Sequence, residues 1–335
     1  MLVHYDGFAG HRVALNGTTA HVPASPLDVA RAAALTCGPA PTLPPIRRLM
    51  RLGAFVLETL AHLDVADGGG LAVVGLDGLE PTARSELSQR LGVGMARVVA
   101  ESQQVGLVDL YSLYALSRSP AAPTVVRRGV GGRRPDLVGA DAAGAWSVLE
   151  AKGRSGKGTL PGTRARAHSQ AQAVDFRDFL GRQIPLDMRI GSVARLGSGA
   201  VDVWFEDPDP GDEARVYEAD PDELLYAYYE PLRDLIAVYG PVLPEVDDAP
   251  GFGSAPLPGT NLSLAVHRRI GGVLDEPDVL RAVRAELQDE FQEIRARHAV
   301  EGADRLLSVG RDGLGLVAES ESAEVVSRQR EFRAL

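Results

Sequence analysis

Three short β-prone runs, TVVRR, RPDLVGA and AWSVLEAK, lie within residues 124–152, and ADAAG alone separates the last two. Four or five residues rich in Asp, Ala and Gly leave room for a turn and nothing more, so those two runs predict an antiparallel hairpin. On either side the periodicity changes. Pro81 opens a helical pattern, broken or bent near Gly92 and Gly94, that ARVVAESQQVGLVDLYSLYAL continues up to Ser119-Pro120. After GRSGKGTLPG, Thr163 is placed to cap a second helix running to Gly181 as its C′ residue. MRIGSVARL and AVDVWFE then read as two more strands. The order from about 95 to 206 is α-β-β-β-α-β-β, an α/β core with a mixed sheet flanked by helices.

The flanks read as mainly helical. Residues 1–24 suit a small strand pair, Ser25-Pro26 opens one helix, and IRRLMRLGAFVLETLAHL spaces its apolar residues as an amphipathic second one. DELLYAYYEPLRDLIAVYG predicts a helix kinked at Pro231, 241–260 a Pro/Gly-rich linker, and 276–299 a charged helix. The expected division is therefore a helical region over 1–80, the core over 81–210, and a helical region over 211–335. A chain of 335 residues with 45% apolar content has material for one elaborated core or two modest ones.

Composition narrows the function classes. Cys37 is the only cysteine, which excludes an internal disulfide and a thiolate zinc site, and a reducing cytoplasm fits best. No apolar run approaches the ~20 residues of a membrane span, and the first residues lack the pattern of a secretion signal. The net charge of −10 argues against a chain that coats nucleic acid over its whole surface. Its distribution is uneven, however. Residues 127–168 hold nine Arg or Lys against three Asp or Glu, and 206–248 hold two against fourteen. The basic stretch can attract phosphates, because screening confines each field to about 10 Å. The acidic stretch is a candidate shield for it.

Of the 35 basic residues only Lys152 and Lys157 are lysine. A chain that otherwise uses arginine for positive charge keeps lysine where a compact ammonium on a flexible stem has a task. Lys152 closes the third strand run, and Glu150, two positions earlier, shares its face. The hairpin brings Asp136 alongside. Two carboxylates and one ammonium at a sheet edge suit phosphodiester chemistry: hard oxygen donors hold Mg²⁺, and the lysine orients water or stabilises developing charge.

Pro135-Asp136, thirteen intervening residues, then Glu150-Ala151-Lys152 resembles the PD-(D/E)xK motif of the restriction-endonuclease-like nuclease superfamily, whose α-β-β-β-α-β core matches the order above. The resemblance covers about a third of the chain. It implies Asp136 and Glu150 as Mg²⁺ ligands (Mn²⁺ substituting), the Ala151 carbonyl as a further ligand, and Lys152 as the catalytic lysine. By the same resemblance Glu101, on the preceding helix, is a candidate fourth ligand. Gln170 and Gln172, on the following helix, join Arg127, Arg128, Arg133, Arg134, Arg154 and Lys157 as candidate contacts to nucleic acid, with DNA as the expected substrate. The terminal regions are the expected place for a homodimer contact or a protein partner.

Two rivals compete. AKGRSGKG, residues 151–158, approaches a phosphate-binding loop, but Leu160-Pro161-Gly162 interrupts where that loop leads into its helix, and Glu150 and Lys152 are left without a role. A non-catalytic binding member of the same fold is the other, and it has no need of Lys152.

Overall fold

The computed structural model describes residues 1–37, 43–66, 69–113, 127–128, 135–156, 160–172, 174–178, 180–197, 199–209, 215–247, 249–300 and 307–318. Its strands are β1 (Leu2–Asp6), β2 (Thr18–His21), β3 (Leu63–Val65), β4 (Leu71–Val73), β5 (Leu107–Ser112), β6 (Arg127–Arg128), β7 (Leu137–Asp141), β8 (Trp146–Arg154), β9 (Val174–Arg177), β10 (Gln183–Ile184), β11 (Leu186–Arg195), β12 (Asp202–Glu206), β13 (Arg215–Glu218), β14 (Glu245–Val246), β15 (Ala249–Pro256), β16 (Leu262–His267), β17 (Leu307–Val309) and β18 (Leu314–Ala318). The helices are α1 (Pro26–Cys37), α2 (Pro45–Leu60), α3 (Pro81–Ala100), α4 (Leu160–Gln172), α5 (Pro221–Tyr228), α6 (Glu230–Tyr239), α7 (Arg268–Gly271), α8 (Pro277–Glu286) and α9 (Gln288–Val300).

A seven-stranded mixed sheet, ordered β2-β1-β12-β11-β8-β7-β5, organises the molecule. The predicted hairpin is β7–β8, antiparallel, with Leu137 opposite Leu149. β8 runs parallel to β11, and β11 antiparallel to β12. Alternation sends Leu149 and Ala151 into a core with Ile190, Val203, Phe205 and Val3, beneath Leu91 and Met95 of α3. Glu150, Lys152 and Arg154 turn to the opposite face, where α4 lies across β8 and β11. The strand pair expected at the N-terminus exists as β1–β2, but it extends this sheet through β1–β12 instead of standing apart. A β3–β4 hairpin is a further strand element in the region read as helical.

Four sequence expectations are corrected. α3 is unbroken. Gly92 and Gly94 serve close approach: a Cβ at Gly92 would stand 2.4 Å from the Gly153 amide nitrogen, and one at Gly94 2.8 Å from the Val29 carbonyl oxygen of α1. The helix stops at Ala100, and LVDLYS is β5, a strand buried on both faces whose apolar run carries no alternation to separate it from a helix. α4 ends at Gln172, and VDFR is β9, so Gly181 (φ +78°) belongs to a turn stabilised by Asp178. The Pro/Gly-rich stretch 241–260 is largely β14 and β15, part of a five-stranded sheet ordered β14-β15-β16-β18-β17, so the C-terminal region is not simply helical.

The chain does break beside Pro231, at Tyr229 between α5 and α6, with the proline in the first turn of α6. Among the described acids of 206–248, Glu230 and Asp234 hold Arg48 of α2, Asp222 holds Arg281, and Asp220 caps α5. No helix among the described residues is long and apolar enough to cross a membrane.

Candidate active site

Asp136 stands just before β7, level with the end of the strand pairing, and its side chain continues the ladder that the backbone leaves open. Its Oδ2 accepts from the Ala151 amide at 3.0 Å, and its own amide donates to Glu150 Oε2 at 3.2 Å. The Lys152 ammonium donates to Glu150 Oε1 and lies 4.0 Å from Asp136 Oδ2. The Lys152 ammonium thus pairs with both carboxylates, and Glu150 also holds the Asp136 backbone. Glu150 is buried at 1% side-chain exposure, whereas Asp136 and Lys152 keep 20% and 31%, so the group opens outward from a closed base.

Electrostatics set the pair under tension. Burial, then the neighbouring Asp136 charge, pushes the Glu150 carboxyl up to about 7, against the pull of the Lys152 ammonium. Burial raises Asp136 as well, and again Lys152 and the Ala151 amide only partly offset it. Two carboxylates share one ammonium, so ionising both leaves a net negative charge in a partly dry place. A hard cation relieves it. N–H and C=O of one strand residue point to the same side, so the Ala151 carbonyl faces the side on which its amide meets Asp136. The oxygen donors Asp136, Glu150 and Ala151 suit Mg²⁺, which keeps several waters and takes few protein ligands. Among the described residues no cluster of three or more His, Cys, Asp or Glu adds to them.

Glu101 does not join this group. It caps α3 inside the protein, where Arg97 Nε and Arg31 each donate to it at 2.6 Å. Arg97 in turn meets Asp312 and the Tyr228 hydroxyl. Burial alone would raise Glu101, but the Arg31 and Arg97 charges take it down to about 2. Both of its oxygens are committed to guanidiniums, so it is a structural carboxylate and not an available ligand.

Of the candidate nucleic-acid contacts, Arg154 shares the face of Glu150 and Lys152 and donates to Thr163 Oγ1 of α4 at 2.7 Å. Arg127 and Arg128 form β6 in a separate four-stranded sheet, opposite Glu218 and Tyr217 of β13. Arg133, Arg134 and Lys157 lie outside the described residues. Gln172 is committed to the Asp209 carbonyl at 2.6 Å, while the Gln170 Oε1 is buried with no hydrogen-bond partner among the described residues.

Sequence reasoning missed a second polar cluster on the same sheet face. Glu206 lies across Gly191 from Glu150, two strands away in one register row. His168 Nε2 approaches its Oε2 at 2.6 Å and Arg164 Nε at 3.0 Å, and these bonds more than offset the upward push of burial on Glu206. Gly191 permits this packing, since a Cβ there would stand 2.7 Å from the His168 ring. The signal was present: AVDVWFE alternates, which puts Asp202, Trp204 and Glu206 on one face.

Comparison with protein-family models, with curated proteins and with solved structures finds no match to this chain.

Proposed function

We propose that the chain is a Mg²⁺-dependent nuclease whose centre is Asp136, Glu150 and Lys152 on a restriction-endonuclease-like core. The observation that carries this reading is the contact of two desolvated carboxylates with one lysine at the open edge of the β7–β8 hairpin. The helix–strand order α3-β5-β7-β8-α4-β11 supports the same core, with β5 in place of TVVRR as its first strand.

Asp136 and Glu150, with the Ala151 carbonyl, would hold the ion. Mg²⁺ bound there would polarise a phosphoryl oxygen and lower the pKa of a coordinated water. Lys152, exposed enough to meet substrate and anchored on Glu150, places its ammonium where negative charge develops on the phosphorus oxygens. Asp136 also fixes the geometry, because its bond from the Ala151 amide ties the residue before β7 to β8. Arg154 offers a guanidinium to the phosphate backbone on the same face, a contact that positions a strand without reading its bases.

The test is cleavage of plasmid, linear duplex and single-stranded substrates with Mg²⁺ or Mn²⁺ by the wild-type chain, Asp136→Ala and Lys152→Ala. Loss of about 10²-fold or more in both variants, with folding intact, is expected. Equal cleavage by wild type and variants would remove the reading.

A further inference from the structure

The sheet face that carries Lys152 continues past α4 into a lane that the catalytic group does not use. In register, Lys152 lies opposite Val193, Val193 opposite Trp204, and Trp204 opposite His4. Trp204 is therefore two strand spacings, about 10 Å, from Lys152 on the same face. One step along the strands, Arg154 pairs with Arg195, and Arg195 with Asp202. This row passes the start of α4, where Arg154 meets Thr163. An open groove at the ends of β8 and β11, lined by Arg84, Arg195, Ser155, Gly156 and Gly197 and by one carboxylate, Asp77, which lies 4.0 Å from Arg84, adjoins it.

The aromatic part has a defined geometry. His4 stacks on Trp204 with ring centres 4.9 Å apart and planes at 13°, and His4 Nδ1 is fixed by Thr19 Oγ1 at 3.2 Å. Both rings are half-buried. An imidazole covers only part of an indole, so some of the Trp204 face is left over. The Arg195 guanidinium lies 5.7 Å from that ring and is 62% exposed; one of its nitrogens holds Asp202, and its remaining N–H groups are the ones that can meet a phosphate. The acids nearby are spoken for: Asp202 is held by Arg195, and Glu206 by Arg164 and His168. Asp6, exposed, bonds the Gly7 amide.

We propose that Arg154, Arg195 and the Trp204–His4 stack seat an unpaired stretch of nucleic acid beside the cleavage centre, phosphates on the guanidiniums and one base on the indole. The inference rests on the nuclease reading for its purpose, and it narrows the substrate to a strand with at least one unstacked base. A base inside a duplex already has neighbours on both faces and has none left for an indole. Guanidiniums interleaved with aromatic rings are the pattern that follows a single strand without reading its sequence.

The chain holds two tryptophans, Trp146 and Trp204, so Trp146→Phe leaves Trp204 as the sole indole reporter. Its emission is titrated with single-stranded deoxy- and ribo-oligonucleotides and with a blunt duplex, in Ca²⁺, while anisotropy of a labelled oligonucleotide reports binding. Saturable quenching by an unpaired strand and none by the duplex is expected, the stronger of the two sugar types naming the substrate. Arg195→Gln and Trp204→Ala should each weaken single-strand binding, the latter about tenfold, with duplex binding unchanged. An oligonucleotide that binds by anisotropy without altering Trp204 emission overturns the proposal, as does absence of single-strand binding. Metal-dependent cleavage without quenching would sink the lane alone; quenching without any cleavage would sink the nuclease reading and leave the lane standing.

Discussion

Replacing Glu101 by Gln separates two roles that the residue was open to, metal ligand and buried counter-charge. Glu101 receives Arg31 and Arg97 at 2.6 Å each and is fully enclosed. Gln keeps the shape and one acceptor but removes the charge, so two buried guanidiniums are left with Asp312 as their carboxylate. Breaking one partner of a buried ion pair costs about 3–5 kcal/mol. The ionisation gives an independent figure: a fall from 4.5 to about 2 corresponds to about 3 kcal/mol, at ~1.4 kcal/mol per pH unit. The sign follows from the folded value lying below the unfolded one. This stability is fully present above about pH 4.5 and is lost as pH falls toward 2.

Urea unfolding of wild type and Glu101→Gln at pH 7 should therefore differ by about 3 kcal/mol. The gap should close as the pH is lowered from 4.5 toward 2. Metal-dependent cleavage per folded molecule should be unchanged in the variant. A difference under about 1 kcal/mol at pH 7, or normal stability with lost metal dependence, would refute the structural role and return Glu101 to the candidate ligands.

Gly153→Ala is expected to destabilise strongly, because its Cβ would stand 1.7 Å from the Ser88 carbonyl oxygen and α3 must lift from β8; a loss above about 2 kcal/mol in chemical unfolding checks it. Asp207, pushed up to about 6 by burial and then by Asp187, should be a source of instability at neutral pH. Its folded value lies above the unfolded one, so stability falls as pH rises from about 4 through 6. Asp207→Asn keeps the acceptor for the Arg189 amide and should raise Tm at pH 7.5 but not at pH 4, read by thermal unfolding.

Much of the candidate site was legible before any coordinates. Two-residue alternation and a turn too short for anything but a hairpin place Asp136, Glu150 and Lys152 side by side, and the scarcity of lysine draws attention to Lys152. Two of the misreadings share one cause. LVDLYS and VDFR are held by partners farther along the chain, Val138 opposite Tyr111 and Tyr217 opposite Phe176. Their local patterns carry no record of those partners.

What this chain settles by sequence alone is local: which residues alternate, where a turn must fall, and where the few lysines stand. Which carboxylate is available to an ion is not local. Glu101 and Glu150 are both buried glutamates beside cations, yet one is enclosed by Arg97 of its own helix and Arg31 of α1, while the other lies at the base of a group that opens to solvent through Asp136 and Lys152. The tertiary structure decided that difference, because burial and counter-charge depend on elements brought together by the fold, up to 211 residues along the chain for Glu101 and Asp312 around their shared arginines.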